Sequence, residues 1–485
     1  MAERIKTDIC VIGGGSGGLS VAAGASQMGA QVVLVEGHKM GGDCLNYGCV
    51  PSKALLAAAE RAYMGRSNTA FGVAAARPKV DFAGVMAHVR ETIEAIEPVD
   101  SVERFSGLGV RVIEATGKFI NRKTIKAGNV EITAKRFVIA TGSVAAIPNI
   151  RGLKSVPYLT NETIFSLAHQ PKHLMIIGGG PIGAEMAQAF ARLGSRVTVL
   201  EADKLLGRED QEVSAHVKSQ LIEDGVSLIE GARIASVSSN RKNSGAPINA
   251  GTKITVTLKD GEKLNGDALL VAAGRQANLA SLNLGKAGVI TDGKTAPAII
   301  VDKRMRSSNK KIFAIGDVNG GPQFTHAAGY QAGLVIRNIL FFLPAKANFD
   351  ALPRVTYTSP ELASVGLSEA QAREKYAAVK VLRWPFEEND RARAERDMRG
   401  MVKIVTTRNG RILGASIVGK GAGDLLAPWT MALAQGLPIS AMAGVIAPYP
   451  TRGEASKRAA GDYYTPTLFG PRTAKIVRLL ASFRR

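Results

Sequence analysis

A chain of 485 residues with 46% apolar and 21% charged side chains exceeds what one hydrophobic core can hold and reads as a soluble globular protein of roughly three domains. Three cysteines are too few for an extracellular disulfide framework, so the composition predicts a reducing, cytoplasmic setting in which any cysteine pair is redox-active. The net charge of +21 is spread along the chain and aromatic content is 5%, which argues against nucleic-acid binding and for attraction of anionic cofactors, substrates or a membrane surface. No apolar run reaches the roughly 18 residues of a transmembrane helix, and the first eight residues lead into a strand pattern rather than a signal peptide.

In chain order, residues 7–12 read as a short buried strand with Cys10 in its core. Gly13, Gly15 and Gly18 form a G-x-G-x-x-G run, followed by a small-residue helix to about Met28 and a strand over 31–35 that ends in Glu36. The glycines permit a tight turn that seats a pyrophosphate on the helix N-terminus, and Glu36 suits a ribose hydroxyl. Next comes Gly41-Gly42-Asp43-Cys44-Leu45-Asn46-Tyr47-Gly48-Cys49-Val50-Pro51-Ser52-Lys53, ahead of a helix-friendly run over 54–62. If both cysteines open that helix, they lie on neighbouring turns of one face. A bent first turn could bring their Cα atoms within the about 7 Å that a disulfide needs, and helix N–H groups would favour a thiolate. Two buried cysteines on a helix is the other reading, and the spacing alone leaves both open.

Residues 62–102 read as mostly helical, 111–115 and 136–140 as strands, the latter running into Thr141-Gly142-Ser143. The strand–glycine–helix–strand–acid unit then recurs, as a strand over 173–177, Gly178, Gly180 and Gly183, a helix to about Leu193, and a strand over 196–200 ending in Glu201. The spacing from first glycine to terminal acid is the same in both copies, and Gly29 and Gly194 match as helix stops. A lone glycine motif is weak evidence, but two complete units in register imply two dinucleotides on one chain. Strands near 227–229 and 253–258 flank a polar loop over 240–251, a third strand over 268–275 reaches Gly274-Arg275, and a strand over 312–317 ends in Asp317 before a helix over 327–342. From about residue 352, strands over 354–357, 379–383, 400–406 and 411–417 and helices over 423–435 and 453–460 make an α+β segment without a nucleotide motif, suited to an interface or substrate role. The tail over 471–485 is basic and amphipathic, fitting an anionic membrane surface, packing on a partner subunit or fraying in solvent.

Taken together, these marks make the chain resemble the pyridine nucleotide–disulfide oxidoreductase family over nearly its full length, and within it dihydrolipoamide dehydrogenase and mercuric reductase. The resemblance rests on the first glycine motif, the G-G-x-C-x-N-x-G-C-x-P-S-K run, Ala140-Thr141-Gly142, the second motif ending in Glu185, Gly274-Arg275 and Ala314-Ile315-Gly316-Asp317. It implies an α/β fold with two Rossmann-like domains and a C-terminal α+β dimerisation domain. The corresponding divisions are FAD-binding over 1–150 and 276–347, NAD(P)-binding over 151–275, interface over 348–465 and tail over 466–485. It implies FAD on the first unit, a nicotinamide cofactor on the second, Asp317 at the ribityl chain, and a homodimer. It further implies a redox pair in which Cys49 faces the flavin and Cys44 meets substrate, with Lys53 and Glu185 as an ion pair beside the ring. Glu201 favours NADH by repelling the extra phosphate of NADPH, while Arg208 lies near enough in sequence to admit NADPH.

Departures from the family concern the acceptor side. Where relatives carry His-Pro-x-x-x-Glu, contributed by the partner subunit, this chain has Tyr449-Pro450-Thr451-Arg452-Gly453-Glu454, and no histidine follows His326. A tyrosine with pKa near 10 needs a shift of roughly 3 units to act as a base at neutrality. Mercuric reductase carries a tyrosine in this region, but its C-terminal cysteine pair and N-terminal metal-binding domain have no counterpart here. The acceptor is therefore a metal ion, a small disulfide or a quinone-like oxidant, and the competing classes are a redox-sensing or scaffold subunit and a membrane-peripheral NADH dehydrogenase docked by the tail. Asp43 stands where threonine is usual and is expected to cap the redox helix. Otherwise its charge would oppose a thiolate at Cys44.

Overall fold

The computed structural model describes residues 3–66, 71–74, 79–243 and 251–483. Of the predicted loop over 240–251, residues 244–250 lie outside these, as do 67–70 and 75–78 of the predicted helical segment and the last two residues of the tail. The chain forms two compact units, one of Met1–Gly178, Ala189–Leu200 and Ala232–Asn348, the other of Gly179–Gln188, Glu201–Gly231 and Phe349–Arg485.

The first unit is a mixed α/β body. Strand β1 (Glu3–Ile12), helix α1 (Ser16–Gln27) and strand β2 (Val32–Glu36) form the first βαβ unit, followed by helices α2 (Gly42–Asn46) and α3 (Cys49–Met64). Strands β3 (Arg111–Glu114), β4 (Gly117–Asn121), β5 (Thr124–Ala127) and β6 (Val130–Ile139) complete a sheet in the order β3-β2-β1-β6-β5-β4, with Ile312–Ala314 pairing on β6. In β1, Ile9 and Val11 face one layer with Leu19, Leu34 and Val335, while Cys10 and Ile12 face the other with Phe119 and Phe137. Both faces are covered, which is why the strand reads as a continuous apolar run rather than an alternation. Each buried Val, Leu or Ile contributes about 1.5–3 kcal/mol of transfer free energy, so this strand anchors whatever the following turn holds. Cys10 is fully buried and its thiol is pushed up by burial, consistent with a core role.

The second predicted βαβ repeat is present as His173–Ile177, Pro181–Leu193 and Arg196–Glu201, with the first and third pairing in parallel and Ala268–Val271 on the other side of the first. The expected continuous strand over 268–275 is corrected. It ends at Val271, Gly274 turns the chain at φ +131°, and Arg275–Ala277 pairs instead with Ser143–Ala145. The strand expected over 312–317 likewise stops at Ala314. Gly316, at φ +72°, opens a single 3-10 turn, Gly316–Asn319, that carries Asp317. The hairpin β4–β5 lacked a strong turn dipeptide and went unread.

In the second unit, Arg354–Thr356, Glu361–Gly366, Ile412–Gly419, Met401–Thr407 and Val379–Pro385 form an antiparallel sheet in that order. Its core includes Trp429, Phe386, Ile404 and Ile417, and the indole Nε1 donates to Ser456 Oγ at 3.0 Å. The strand Glu361–Gly366 escaped the sequence reading, and the helix expected over 423–435 is two, Ala422–Leu425 and Ala427–Ala434, parted at Leu426. Lys403 is buried in this sheet, paired with Asp210, Glu212 and Glu369 at 2.7–2.9 Å. Among the described residues, no helix is long and apolar enough to cross a membrane.

Candidate active site

The two glycine turns are built alike. Gly13 has φ +110° and a Cβ there would sit 2.3 Å from Ala140 O; Gly178 has φ +109° and a Cβ would sit 2.4 Å from Ala272 O. Both conformation and space therefore require glycine. The next glycine in each turn donates its backbone N–H to the terminal acid, Gly14 to Glu36 and Gly179 to Glu201, both at 2.5 Å. Glu36 also accepts from His38 N, and Glu201 from Asp203 N. The carboxylates thus brace their turns and keep lone pairs for a ribose hydroxyl. Gly180 has no atom within 4 Å of a built Cβ, and Gly15 meets only Gly42 at 3.7 Å, which leaves open backbone at each helix start for an anionic pyrophosphate. A Cβ on Gly18 would strike Gly13 O, so close packing of turn on helix fixes the third glycine. Gly183 lies in the first turn of Pro181–Leu193. The residues present fit two dinucleotides, including the FAD that the first motif implies.

The redox stretch lies against the first of these turns. Gly41 and Gly42 take φ +82° and +58°, and Cβ atoms there would meet Leu45 at 2.4 Å and Gly15 Cα at 2.6 Å. Gly41 N donates to Gly14 O at 2.9 Å. The glycine loop and the cysteine loop are therefore one structure. The cysteines do not share a helix as the simplest reading had it. Cys44 sits in α2, the chain breaks at Tyr47-Gly48, and Cys49 is the first residue of α3. Both are thiols joined by a side-chain hydrogen bond. That bond pulls Cys49 down to about 6, helped by a hydrogen bond with Thr325 Oγ1 at 3.5 Å and by the positive charge of Lys53 one turn along α3. The same bond, with burial, pushes Cys44 up. The site thus holds one thiolate and one thiol at neutral pH. Lys53 Nζ also donates to Ser52 Oγ at 3.2 Å.

Asp43 is not the helix cap. Gly41 holds that position because only glycine fits there, and Asp43 is one residue inside α2. Its carboxylate accepts from Asn161 Nδ2 at 2.8 Å and pairs with Arg275 Nη2 at 3.2 Å, while its charge raises Cys49 against the larger lowering influences. Arg275 also donates to Ser143 Oγ at 2.7 Å, and Ser143 Oγ donates to Asp317 Oδ2 at 2.5 Å. Burial pushes the Asp317 carboxyl up, opposed by Ser143 and Arg275. Gln331 Oε1 accepts from Gly316 N at 2.8 Å and steadies the turn beneath Asp317. Thr141 Oγ1 donates to Asn278 O at 2.8 Å, and Gly142, at φ +66°, is open above its Cα. Gly274 supplies the bend that brings Arg275 into this chain of polar groups.

The sequence missed Thr325, Asn161 and Ser143 as site residues. Ser143 adjoins the noted Thr141-Gly142 pair and was within reach of inspection. Thr325 and Asn161 arrive from remote segments, and no local pattern marks them.

The remaining expected residues, Glu185, Tyr449 and Glu454, belong to the second unit, together with Gly180, Gly183 and Glu201. Glu185 is buried and accepts from Tyr357 N at 3.0 Å, and Lys53 is half-buried, so neither is an ordinary surface group. Tyr449 is 67% exposed and its hydroxyl donates to Asp390 Oδ2 at 3.0 Å. That hydrogen bond and charge push the phenol up, away from any role as a base. Glu454 opens the helix Glu454–Asp462 and pairs with Arg458 at 2.8 Å.

Comparison with known proteins identifies the relatives of this chain. Residues 7–332 match the pyridine nucleotide-disulphide oxidoreductase model, and residues 352–460 its dimerisation domain. A mercuric reductase of Lysinibacillus sphaericus is 36% identical over 93% of this chain and 82% of its own. A dihydrolipoyl dehydrogenase of Geobacillus stearothermophilus is 33% identical over 94% of this chain and 96% of its own. The HOCl-induced flavoprotein disulfide reductase RclA of Escherichia coli, solved also as a Cu(II) complex, superposes with TM-scores of 0.82 and 0.83 at 29% identity, over 94% of this chain and 99% of that one.

Proposed function

The chain belongs to the pyridine nucleotide-disulphide oxidoreductase family, and from that premise we propose that it carries two electrons from NADH, through FAD on the first glycine turn, to the Cys44–Cys49 pair and on to a soft metal ion. The observation that carries this reading is the asymmetric dithiol, a Cys49 thiolate near pKa 6 hydrogen-bonded to a protonated Cys44. Bound FAD would supply the two-electron carrier between nicotinamide and sulfur.

The protein's own part is binding, orientation and charge. Gly13, Gly15 and Gly18 with Glu36 hold one dinucleotide, and Gly178, Gly180 and Gly183 with Glu201 the other. Glu201 disfavours a 2′-phosphate, so NADH is the preferred donor and NADPH a poorer one. Lys53 keeps positive charge beside Cys49 and stabilises the thiolate. Oxidation of the dithiol to the Cys44–Cys49 disulfide releases two electrons and the Cys44 proton, enough for Hg(II) to Hg(0) or for two Cu(II) to Cu(I).

A metal-ion acceptor is favoured over a disulfide because thiol–disulfide exchange needs a proton acceptor at the outer sulfur, and Tyr449 is held protonated by Asp390. Tyr449, its hydroxyl proton held by Asp390, lines the acceptor site with Glu454, both from the partner subunit of a homodimer in a cytoplasmic setting. The chain divides accordingly into FAD-binding (1–150 and 276–347), NAD(P)-binding (151–275), interface (348–465) and tail (466–485) segments.

The test is an acceptor panel of Hg(II), Cu(II), lipoamide, glutathione disulfide and a quinone, run with wild type, Cys44→Ser and Tyr449→His. Metal-ion turnover that is lost in Cys44→Ser, with lipoamide turnover gained in Tyr449→His, is the expected pattern. Metal-ion or quinone turnover unchanged in Cys44→Ser would overturn the dithiol route.

A further inference from the structure

The helix Pro471–Ser482 has no buried residue. Ile476, Leu479, Leu480 and Phe483 recur at i, i+3, i+4 and i+7, forming one apolar stripe that is 56–77% exposed. Leu468 and Phe469, also exposed, continue the apolar surface just ahead of the helix. Lys475 and Ser482 flank the stripe, Arg478 lies on the opposite side of the cylinder, and Arg472 sits at its first turn. No acidic residue occurs between Tyr463 and Arg485. A helix this short is marginal in water on propensity alone, so its apolar stripe needs a cover. At 12 residues it is about 18 Å long, too short to cross a bilayer but long enough to lie along its surface.

We propose that this helix docks the protein on an anionic lipid surface, with Ile476, Leu479, Leu480 and Phe483 in the headgroup–acyl boundary and Arg472, Lys475 and Arg478 on lipid phosphates. Charge selects this partner. A second copy of the helix would bring another all-basic tail against the same stripe. The dimerisation-domain match also ends at residue 460, before the helix begins. An anionic bilayer satisfies the stripe and the cations together. The docking does not depend on which acceptor the dithiol meets.

The test is co-sedimentation of the full-length holoprotein with vesicles of phosphatidylglycerol and phosphatidylcholine, and with phosphatidylcholine alone. The expected result is binding to the anionic vesicles only, weakened by salt. Lys475→Gln and Arg478→Gln should each lower the partition coefficient about fivefold. The double variant Leu479→Asp/Leu480→Asp should abolish binding while flavin content and oligomeric mass stay unchanged. Equal binding to neutral vesicles, no vesicle binding by wild type, or full binding by the Leu479→Asp/Leu480→Asp protein would overturn the proposal. So would a change of oligomeric mass in that variant, which would give the stripe to a second copy.

Discussion

The two glycine turns share spacing, backbone and bracing acid, yet they are covered differently. The first turn is roofed by the redox loop, with Gly42 against Gly15 and Gly41 bonded to Gly14. The second takes a matching bond, Leu206 N to Gly179 O at 2.9 Å, but nothing lies within 4 Å of a Cβ built on Gly180. A covered cradle suits a cofactor that stays, and an open one suits a cofactor that comes and goes. The cover is also the segment that carries the dithiol, so the group held beneath it is tied to the sulfurs by packing. The same local motif is thus closed by the dithiol segment in one place and open above Gly180 in the other.

The largest test of that contrast is a pair of alanine substitutions. Gly13→Ala places a Cβ 2.3 Å from Ala140 O and should yield folded protein without flavin, read as the visible absorbance per protein. Gly178→Ala should keep full flavin content and lose most NADH-driven reduction, by about a hundredfold in kcat/KM, roughly 2.7 kcal/mol. Flavin loss in both would erase the distinction between seat and exchange site.

Next in size are the sulfurs. After anaerobic NADH addition, Cys44→Ser should retain a long-wavelength thiolate-to-flavin absorbance and lose acceptor turnover, whereas Cys49→Ser should lose the absorbance itself. A band surviving in Cys49→Ser would reverse the assignment.

A smaller effect concerns the cover's charge. The wild-type absorbance should grow as pH rises through about 6, because Cys49 carries its charge only above its pKa. Asp43 raises that pKa, so Asp43→Asn should move the midpoint down, and Lys53→Met should move it up. The smallest expected change is in Glu201→Gln, which keeps an oxygen for Gly179 N and removes the charge that opposes a 2′-phosphate. The ratio of kcat/KM for NADH over NADPH should fall by about tenfold or less, roughly 1.4 kcal/mol.

Both cradles were legible from residues alone, since each requires glycines at fixed spacing between a strand and a helix, and that requirement is local. The stretch from Gly41 to Lys53 was legible as a redox motif for the same reason, although the break at Gly48 that puts its cysteines on two helices was not. In the second unit, the strands Arg354–Thr356, Met401–Thr407 and Ile412–Gly419 were near their expected bounds, while Glu361–Gly366 was missed.

What the sequence by itself determined is therefore the chemistry each segment can hold: two dinucleotide turns, a cysteine pair, a lysine one turn beyond it, and a tyrosine ahead of Pro450. Backbone conformation and side-chain type decide these, and neither needs a distant partner. Only the tertiary structure decided how that chemistry is tuned. Thr325 and Lys53 lower Cys49, while Arg275 links Asp43 through Ser143 to Asp317. Asp390 holds the Tyr449 phenol protonated. Charge and hydrogen bonding act through space, between residues 276 positions apart in the case of Cys49 and Thr325, and no local window of the sequence contains both partners.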